Sequence, residues 1–170
     1  MIERTASRTP SWQILEVAYD DPRAVALRRL LDEDLGARYD GFHGDEPEER
    51  RLARQRALAT RPDEVVATLV AVDADGEPAG HVMLRRLGAE WELKRLIVAP
   101  AARGRGIARG LVAAVVDRAR AGGAARVILQ TGLQQPESIR LYESMGFTGI
   151  PVYEPYVETM PRSICLELGL

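Results

Sequence analysis

The chain has 170 residues, of which 46% are hydrophobic and 28% charged, and these proportions are ordinary for a globular protein. Its formal net charge of −2 at pH 7 gives no global attraction to nucleic acid or to an anionic membrane surface, so we expect neither as a partner. The single cysteine, Cys165, excludes an intrachain disulfide. Residues 1–10 lack the apolar segment of a signal peptide, and no apolar run approaches the ~18 residues of a membrane span. We therefore predict a cytoplasmic protein with one domain over residues 1–170.

Hydrophobic periodicity and turn residues predict the secondary structure in chain order. Asp21 can cap a helix and Pro22 suits its first turn, so a helix begins there. Asp73–Pro78 has the composition of a tight turn, and the apolar runs on either side of it form a hairpin. Hairpins followed by strand–helix–strand units predict an α/β fold, a mixed sheet with helices on both faces. The predicted strands are Trp12–Ala18, Glu64–Val72, Ala79–Leu87, Trp91–Val98, Arg126–Gln130 and Ile164–Leu168, and the predicted helices are Pro22–Gly36, Glu48–Ala59, Ile107–Ala119 and Pro136–Met145.

The most informative segment is the glycine-rich turn Arg103–Ala108, which follows the apolar run Leu96–Val98 and opens an amphipathic helix. Backbone N–H groups converge where a strand feeds a turn and a helix, and with the helix dipole they form an anion site. Gly104 and Gly106 let the backbone approach a phosphate, and the neighbouring arginines are suited to bind one. The turn therefore predicts a phosphate-bearing ligand. The residues assigned to its phosphates are Arg103, Gly104, Arg105, Gly106, Ile107 and Ala108, with Arg109 beside them.

Two familiar phosphate motifs fit this turn poorly. A P-loop needs Lys-Ser/Thr after its last glycine, but Ile107 and Ala108 stand there, and Lys94 is the only lysine in the chain. A dinucleotide fingerprint needs a third small residue, which falls on Arg109, and an acid after the next strand. The next predicted strand, Arg126–Gln130, ends without an acid. The first motif is excluded, and the second is matched only in part.

A third pattern, Gln/Arg-x-x-Gly-x-Gly/Ala, is matched by Arg103, Gly106 and Ala108. It resembles the coenzyme A pyrophosphate loop of the GNAT superfamily of N-acetyltransferases. Further segments resemble the same family in the same order, and together the resemblance covers about residues 64–168. These segments are Glu92–Pro100, similar to the family's fourth strand, Gln135–Ile139, and Leu141–Phe147, similar to its late helix with a tyrosine and a terminal Gly-Phe.

The resemblance implies a GNAT-like acyl-CoA N-acyltransferase fold, with a mixed, mostly antiparallel sheet of about six or seven strands and helices on both faces. It implies an acetyl-CoA-dependent N-acetyltransferase that moves an acetyl group to a primary amine by direct attack in a ternary complex. The alternative is a non-catalytic acyl-CoA-binding sensor domain, against which the presence of Tyr142 and Glu92 counts. Acetyl-CoA is the expected cosubstrate, and a homodimer is compatible with the resemblance. No metal is expected, because neither His43 nor His81 has a second ligand at metal spacing.

By the same resemblance, the strand before the turn would offer backbone groups to the pantetheine arm, and one N–H would polarise the acetyl carbonyl. Tyr142 would donate its proton to the leaving thiolate, since a phenol pKa of ~10 lies near a thiol pKa of ~8.5. The predicted coenzyme contacts outside the turn are Leu96, Ile97, Val98, Gln135 and Ser138.

Glu92 is the residue that the resemblance implies as the base, acting directly or through water. A carboxylate near pKa ~4 needs burial or a water relay to deprotonate an ammonium. The alternative is that Glu92 pairs with Lys94 or Arg95 on the sheet surface. Strand periodicity places Glu92, Lys94 and Leu96 on one face. His43 has a suitable intrinsic pKa and could approach an acceptor.

Two segments that the coenzyme motifs leave unused are expected to flank the acceptor, a small-molecule or peptide amine. Acidic residues there would attract an ammonium at long range, and aromatic faces can hold a cation at ~0.5–2 kcal/mol each. The competing interpretation is ordinary half-buried surface. The predicted acceptor residues are Tyr39, Phe42, Tyr153 and Tyr156, and the acidic residues are Asp40, Asp45, Glu46 and Glu154.

Overall fold

A seven-stranded sheet runs through the computed structural model, which describes residues 11–170. All the predicted elements are present, with small differences at their ends. The expectation about a signal peptide rests on residues 1–10 and lies outside the described residues. The short strand Thr148–Ile150 and the short helix Tyr156–Thr159 were not predicted, because three or four residues are too short to show a period. The elements are β1 Trp12–Val17, α1 Pro22–Arg38, α2 Glu48–Leu58, β2 Val65–Asp73, β3 Pro78–Leu87, β4 Glu90–Val98, α3 Ile107–Ala121, β5 Arg126–Thr131, α4 Pro136–Ser144, β6 Thr148–Ile150, α5 Tyr156–Thr159 and β7 Ile164–Gly169.

The strand order is β1-β2-β3-β4-β5-β7-β6. The first four strands pair as antiparallel neighbours, and β7 pairs antiparallel with both β5 and β6. Within residues 11–170, β4 and β5 form the only parallel pair, and α3 is the crossover between them. The predicted fold class, an α/β fold with a mixed and mostly antiparallel sheet, is confirmed.

Helices cover both faces of the sheet, as the periodicity predicts. On one face the apolar side of α3 packs against the central strands, and Leu111, Val112 and Val115 are fully buried. On the other face Ala24 and Leu27 of α1 pack against β2. Each such leucine or valine contributes ~1.5–3 kcal/mol through its removal from water. The core therefore has two apolar halves, one on each face of the sheet, and the α1 face also buries charged side chains of β3 and β4.

A β-bulge interrupts the pairing of β3 with β4. Arg95 and Leu96 together lie opposite Val82, where the register between the two strands shifts. Arg95 has a φ of 66°, the one positive value for a non-glycine residue within the described part of the chain. A bulge adds one residue to a strand and changes the face to which the following side chains point.

The bulge overturns one expectation from strand periodicity. Leu93 and Leu96 both pack with the α3 core, although they are separated by an odd number of residues. Ile97 belongs instead to the α1 core. Glu92 and Lys94 lie on the face of the sheet opposite Leu93. The prediction that Glu92, Lys94 and Leu96 share a face is therefore wrong, because the extra residue reverses the alternation before Leu96.

Gly36 and Gly110 lie inside α1 and α3, and the same substitution should have opposite effects at the two positions. A Cβ at Gly36 would meet no atom within 4 Å, so Gly36→Ala is expected to stabilise the protein by ~0.5–1 kcal/mol through helix propensity. A Cβ at Gly110 would lie 2.3 Å from Cη2 of Trp12. The Trp12 indole N–H is held by the carbonyl of Arg105 at 3.0 Å, so Gly110→Ala is expected to destabilise by about 1–3 kcal/mol. Urea unfolding measures both changes, and a gain of stability in Gly110→Ala would contradict the close packing.

Candidate active site

A cavity of about 1030 Å³ opens between the α1–α2 segment, β4, β5 and α4. Its wall combines predicted catalytic, coenzyme and acceptor residues that are distant in sequence. Ile97, Val98 and the turn Arg103–Ala108 do not line it, and Ile97 is buried in the α1 core. The predicted site residues on the wall are Tyr39, Phe42, Glu92, Leu96, Gln135, Ser138 and Tyr142.

The cavity follows a gap between β4 and β5. The parallel ladder joins Glu92 to Ile128 and Leu93 to Leu129. Beyond Leu93, the edge of β4 that faces β5 has no ladder partner among residues 11–170. Residues 94–98 therefore offer backbone groups to an extended ligand that lies in the gap as an added strand.

The turn Arg103–Ala108 has the geometry of an anion cradle. Gly104 and Gly106 adopt φ values of 76° and 77°, the left-handed backbone that glycine favours. Gly106 is the N-cap of α3, which begins at Ile107. The N–H groups of residues 104–109 have no acceptor within the part of the chain that the structure describes. These donors and the helix dipole remain available to a phosphate, as the sequence predicted.

Three arginines around this turn are bound to neutral groups. Arg105 donates to Oγ of Ser11 at 2.7 Å, and Arg109 donates to Oγ of Ser144 at 2.7 Å. Arg103 donates to a backbone carbonyl of β4 at 3.3 Å. None of the three has a carboxylate within 4.0 Å among residues 11–170, so their positive charge is not neutralised by the protein.

Tyr142 lies on α4 with its side chain buried against Phe147, at a ring separation of 5.6 Å. Its hydroxyl reaches the cavity and has no hydrogen-bond partner among the described residues. Burial raises the pKa of this phenol, so it stays protonated across the physiological range. A protonated, unpartnered hydroxyl in an apolar wall can donate a proton to an anion beside it.

Glu92 is fully buried and both of its carboxylate oxygens are occupied. Arg85 donates to Oε2 at 2.6 Å, while the hydroxyls of Tyr153 and Tyr156 donate to Oε1 at 2.9 and 2.8 Å. The partner is thus Arg85, rather than the Lys94 or Arg95 considered from sequence. Arg85 is the direct cross-strand neighbour of Glu92, and counting back from the two-residue turn after β3 would have found it.

Tyr153 and Tyr156 differ from their predicted placement. Neither lines the cavity, and Tyr156 has no exposed surface. Their hydroxyls point at Glu92 because a buried carboxylate is stabilised by hydrogen-bond donors. They therefore lie beneath the cavity wall, behind Glu92.

The family of the chain follows from comparison with known proteins. The model of the Acetyltransferase (GNAT) family matches residues 14–147. The chain belongs to this family.

This GNAT acetyltransferase is similar to the IAA acetyltransferase of Azospirillum brasilense, with 32% identity over 157 residues, 91% of this chain and 97% of that protein. It is 39% identical to N-acetyltransferase 8 of Rattus norvegicus over 90 residues, 53% of this chain and 37% of that protein. The crystal structure of the PaiA N-acetyltransferase of Thermoplasma acidophilum, in complex with coenzyme A, aligns with a TM-score of 0.65 and 18% identity. That alignment covers 94% of this chain and 99% of that one, and it shows a shared fold.

Lys94 also lines the cavity of the acetyltransferase, where the sequence had indicated only an ion-pair partner. Its Nζ donates to the hydroxyl of Tyr156 at 3.0 Å and to the carbonyl of Leu58 at 3.2 Å. Burial lowers its pKa from an ordinary 10.5 to about 8. The amine is therefore mainly protonated at pH 7 and loses its proton as the pH rises through about 8. The sequence gives no signal of this shift, because it depends on burial.

The end of the cavity that adjoins the C-terminus of α1 is lined by Tyr39, Phe42 and His43. Their rings pack as a cluster, with centroids 5.4 Å apart for Tyr39 and Phe42 and 6.1 Å for Tyr39 and His43. The Tyr39 hydroxyl lies so close to Gly132 that a Cβ there would meet it at 1.8 Å. Burial lowers the pKa of His43, and nearby Arg54 lowers it further. His43 is therefore neutral at pH 7 and can accept a proton.

The charge at this end of the acetyltransferase cavity differs from the expected negative surface. Asp40 and Glu154 do not line the cavity, and Glu46 is paired with an arginine of α2 at 2.8 Å. Arg50 and Arg162 lie on the same wall, and neither has a carboxylate within 4.0 Å among residues 11–170. Asp45, another of the predicted acidic residues, does line the cavity and has no basic side chain within 4.0 Å among residues 11–170. The wall at this end therefore carries charges of both signs.

Residues 11–170 contain neither a metal-binding cluster nor a helix that could span a membrane. No group of three or more His, Cys, Asp or Glu side chains between residues 11 and 170 is arranged to hold a metal ion. None of the helices in that range has the length and apolar character needed to cross a membrane.

Glu92→Gln is expected to lower the free energy of unfolding by about 3 kcal/mol, because it removes the shorter carboxylate contact of the buried Arg85, at 2.6 Å, and leaves only that with the partly exposed Glu64 at 3.2 Å. Glu90→Gln, two residues earlier in β4, is the matched control. Glu90 pairs with Arg126 at 2.5 Å on the half-exposed edge, so its loss should cost no more than about 1 kcal/mol. Urea unfolding measures both. An unchanged unfolding free energy in Glu92→Gln, together with a loss of turnover, would contradict the structural role and favour the base.

Proposed function

We propose that this acetyltransferase uses acetyl-CoA to acetylate a primary amine by direct attack in a ternary complex. The unpartnered hydroxyl of the buried Tyr142 side chain, on the cavity wall, carries this proposal. Turnover needs a proton donor at the leaving thiolate, whereas coenzyme binding alone does not. The similarity to N-acetyltransferase 8 and to a structure that holds coenzyme A supports nitrogen as the acceptor atom and coenzyme A as the carrier.

The coenzyme would lie across the β4–β5 gap. The N–H groups of Arg103–Ala108 would hold its pyrophosphate, and Arg103, Arg105 and Arg109 would add charge beside it. The pantetheine arm would pair with the free edge of Leu96–Val98. Gln135 and Ser138, at the start of α4 and on the cavity wall, would contact the same arm. This path leads the thioester toward Tyr142.

In the proposed reaction the amine nitrogen attacks the acetyl carbonyl carbon, and an N–H of the β4 edge stabilises the oxyanion. The C–S bond then breaks, and the sulfur takes its electron pair. The Tyr142 phenol gives its proton to the thiolate, which releases coenzyme A as a thiol. The nitrogen of the adduct loses its second proton as the C–S bond breaks, and that proton passes through water to the Tyr142 phenolate and restores the phenol. The proton removed from the ammonium before attack leaves to solvent, so one proton is released for each ammonium acetylated.

The amine must lose a proton before or during attack. We assign this step to His43, which lines the acceptor end and whose lowered pKa keeps it neutral at pH 7. In this proposal Glu92 has a structural role. It holds Arg85 and the two tyrosines in place, because hydrogen bonds from them already occupy both of its carboxylate oxygens. Tyr39 and Phe42 would form the wall beside the acceptor.

Tyr142→Phe is expected to lower kcat by roughly 10²-fold, because it removes only the proton donor. The coenzyme A affinity should stay within about twofold, since no binding group is lost. The measurement is thiol release from acetyl-CoA with an amine acceptor, with calorimetry of coenzyme A and the melting temperature as internal controls. A variant with unchanged kcat would remove Tyr142 from the mechanism.

Gly106→Glu is expected to weaken coenzyme A binding by more than ~100-fold, because charge and bulk displace a pyrophosphate held by hydrogen bonds of about 1.5–3 kcal/mol each. Gly76→Glu is the matched control. Gly76 has a similar φ of 83° in the β2–β3 turn and open space around it, so it shares the backbone strain far from the turn at α3. Calorimetry should show normal affinity for Gly76→Glu. Equal affinity in the two variants would reject the assignment of this turn.

A further inference from the structure

A second cavity of about 310 Å³ lies between α1, the segment after α2 and the bulge of β4. It adjoins the large cavity, because Asp32, Leu58, Ala59 and Arg95 line both. Neither the coenzyme turn nor Tyr142 lines this smaller space. Its wall carries three arginines, Arg28, Arg29 and Arg95, against one carboxylate, Asp32.

Arg28 is the principal charged group of this smaller cavity. Only 8% of the residue is exposed, and no carboxylate lies within 4.0 Å of it among residues 11–170. One terminal nitrogen donates to the carbonyl of Tyr19 at 2.5 Å, and the other has only the weak acceptor sulfur of Met83 at 3.8 Å. The guanidinium also lies over the Tyr19 ring, 4.3 Å from its centroid, but a ring face carries no full negative charge. A buried guanidinium without a counterion is costly, and an anion that entered the cavity would remove that cost.

Thr60 supplies a second unsatisfied group to the same cavity. Its Oγ1 is buried and has no hydrogen-bond partner within the described part of the chain. Asp32 does not neutralise Arg28, because it is paired with Arg95 at 2.8 Å. The cavity wall therefore holds a cation without a counterion, and a hydroxyl without a partner is buried in the same wall. A guanidinium and a hydroxyl are groups that bind a carboxylate or a phosphate.

We propose that this smaller cavity is an anion subsite of the acceptor site, and that the acceptor is an amine carrying a carboxylate or phosphate group. The inference rests on the proposed function for its amine half, and on Arg28 and Thr60 for its anionic half. The large cavity supports the same proposal. Arg50 and Arg162, which line its proposed acceptor end without an ion-pair partner, favour the approach of an anion.

In this arrangement the acceptor extends from the large cavity into the smaller one. Its amine lies in the large cavity beside the β4 edge, and its anionic group lies against Arg28 on the far side of Arg95. The two groups must therefore be separated by a spacer that passes Leu58 and Arg95, which line both cavities. The length of that spacer is a property of the substrate that experiment can measure.

The test compares ω-amino carboxylates of increasing length with n-alkylamines of equal length, in a thiol-release assay with acetyl-CoA. One chain length should give a kcat/KM at least ~10-fold above its alkylamine, which is the size of one charge-assisted hydrogen bond. Aminoalkylphosphonates of the same lengths distinguish a phosphate-like from a carboxylate group. Equal kcat/KM for charged and uncharged amines at every length would overturn the proposal.

Substitutions on the wall of the smaller cavity test where the anionic group of the acceptor binds. Arg28→Met should raise KM for the preferred anionic amine by about 10–100-fold and leave alkylamines unchanged. Arg28→Lys keeps the charge and should recover part of the loss. Thr60→Val should raise the same KM by a few-fold without lowering the melting temperature, because it removes a buried hydroxyl that has no partner. Arg56→Met is the control, since Arg56 is exposed on α2 and lines neither cavity. Loss of discrimination in Arg56→Met, or its retention in both Arg28→Met and Thr60→Val, would contradict the assignment.

A direct binding measurement separates this proposal from the acetyl transfer itself. Calorimetry with glutarate, at saturating coenzyme A so that the phosphate turn is occupied, should show binding that Arg28→Met and Thr60→Val weaken. If no amine is acetylated but glutarate binding depends on these residues, the anion subsite stands and the proposed function falls. If amines are acetylated but glutarate does not bind, or binds equally to all variants, the function stands and the subsite is rejected.

Discussion

The β-bulge at Arg95 is the constraint on which the site depends. A positive φ at a non-glycine residue costs about 1–3 kcal/mol, and the ion pair of Arg95 with Asp32 at 2.8 Å ties the bulge to α1. The extra residue separates β4 from β5 after Leu93, so the β4 edge stays open. It also reverses the side-chain alternation, which turns Leu96 toward the α3 core and leaves Lys94 on the α1 side. The groove proposed for the coenzyme and the polar cleft proposed for the acceptor thus both adjoin one local irregularity.

The floor of the acceptor cleft is a buried ionic cluster around Glu92 and Arg85. Arg85 also bonds to the carbonyl of Ala59 at 3.1 Å and to Glu64 at 3.2 Å, while Tyr156 brings α5 to the same point. The cluster therefore holds the end of α2, the β3–β4 hairpin and α5 together. An apolar cluster would bury the same volume at lower desolvation cost, but it would not fix the direction of each side chain. The cleft is therefore built on buried polar groups that need one another as hydrogen-bond partners.

The sequence was sufficient for features that depend on local period and local chemistry. The cap at Asp21 accepts the N–H of Arg23 at 2.9 Å, and the apolar face of α3 is buried as its spacing predicts. The sequence was insufficient where a single inserted residue, or a partner distant along the chain, decides which way a side chain points. The bulge at Arg95 has no glycine or proline to mark it. The tyrosines at 153 and 156 look like acceptor residues until the position of Glu92 is known, and the burial of Arg28 has no sequence signature at all.

The packing of α3 between two indoles has an optical consequence. Trp12 rests on Gly110 beside the phosphate turn, and Trp91 rests on Gly122 at the other end of the helix. These are the only tryptophans in the chain. Because the Trp12 N–H is bonded to the carbonyl of Arg105, its emission is coupled to the backbone that would receive a pyrophosphate, whereas Trp91 is remote from it. The acetyltransferase therefore carries an intrinsic fluorophore at its coenzyme turn and a second one that serves as an internal reference.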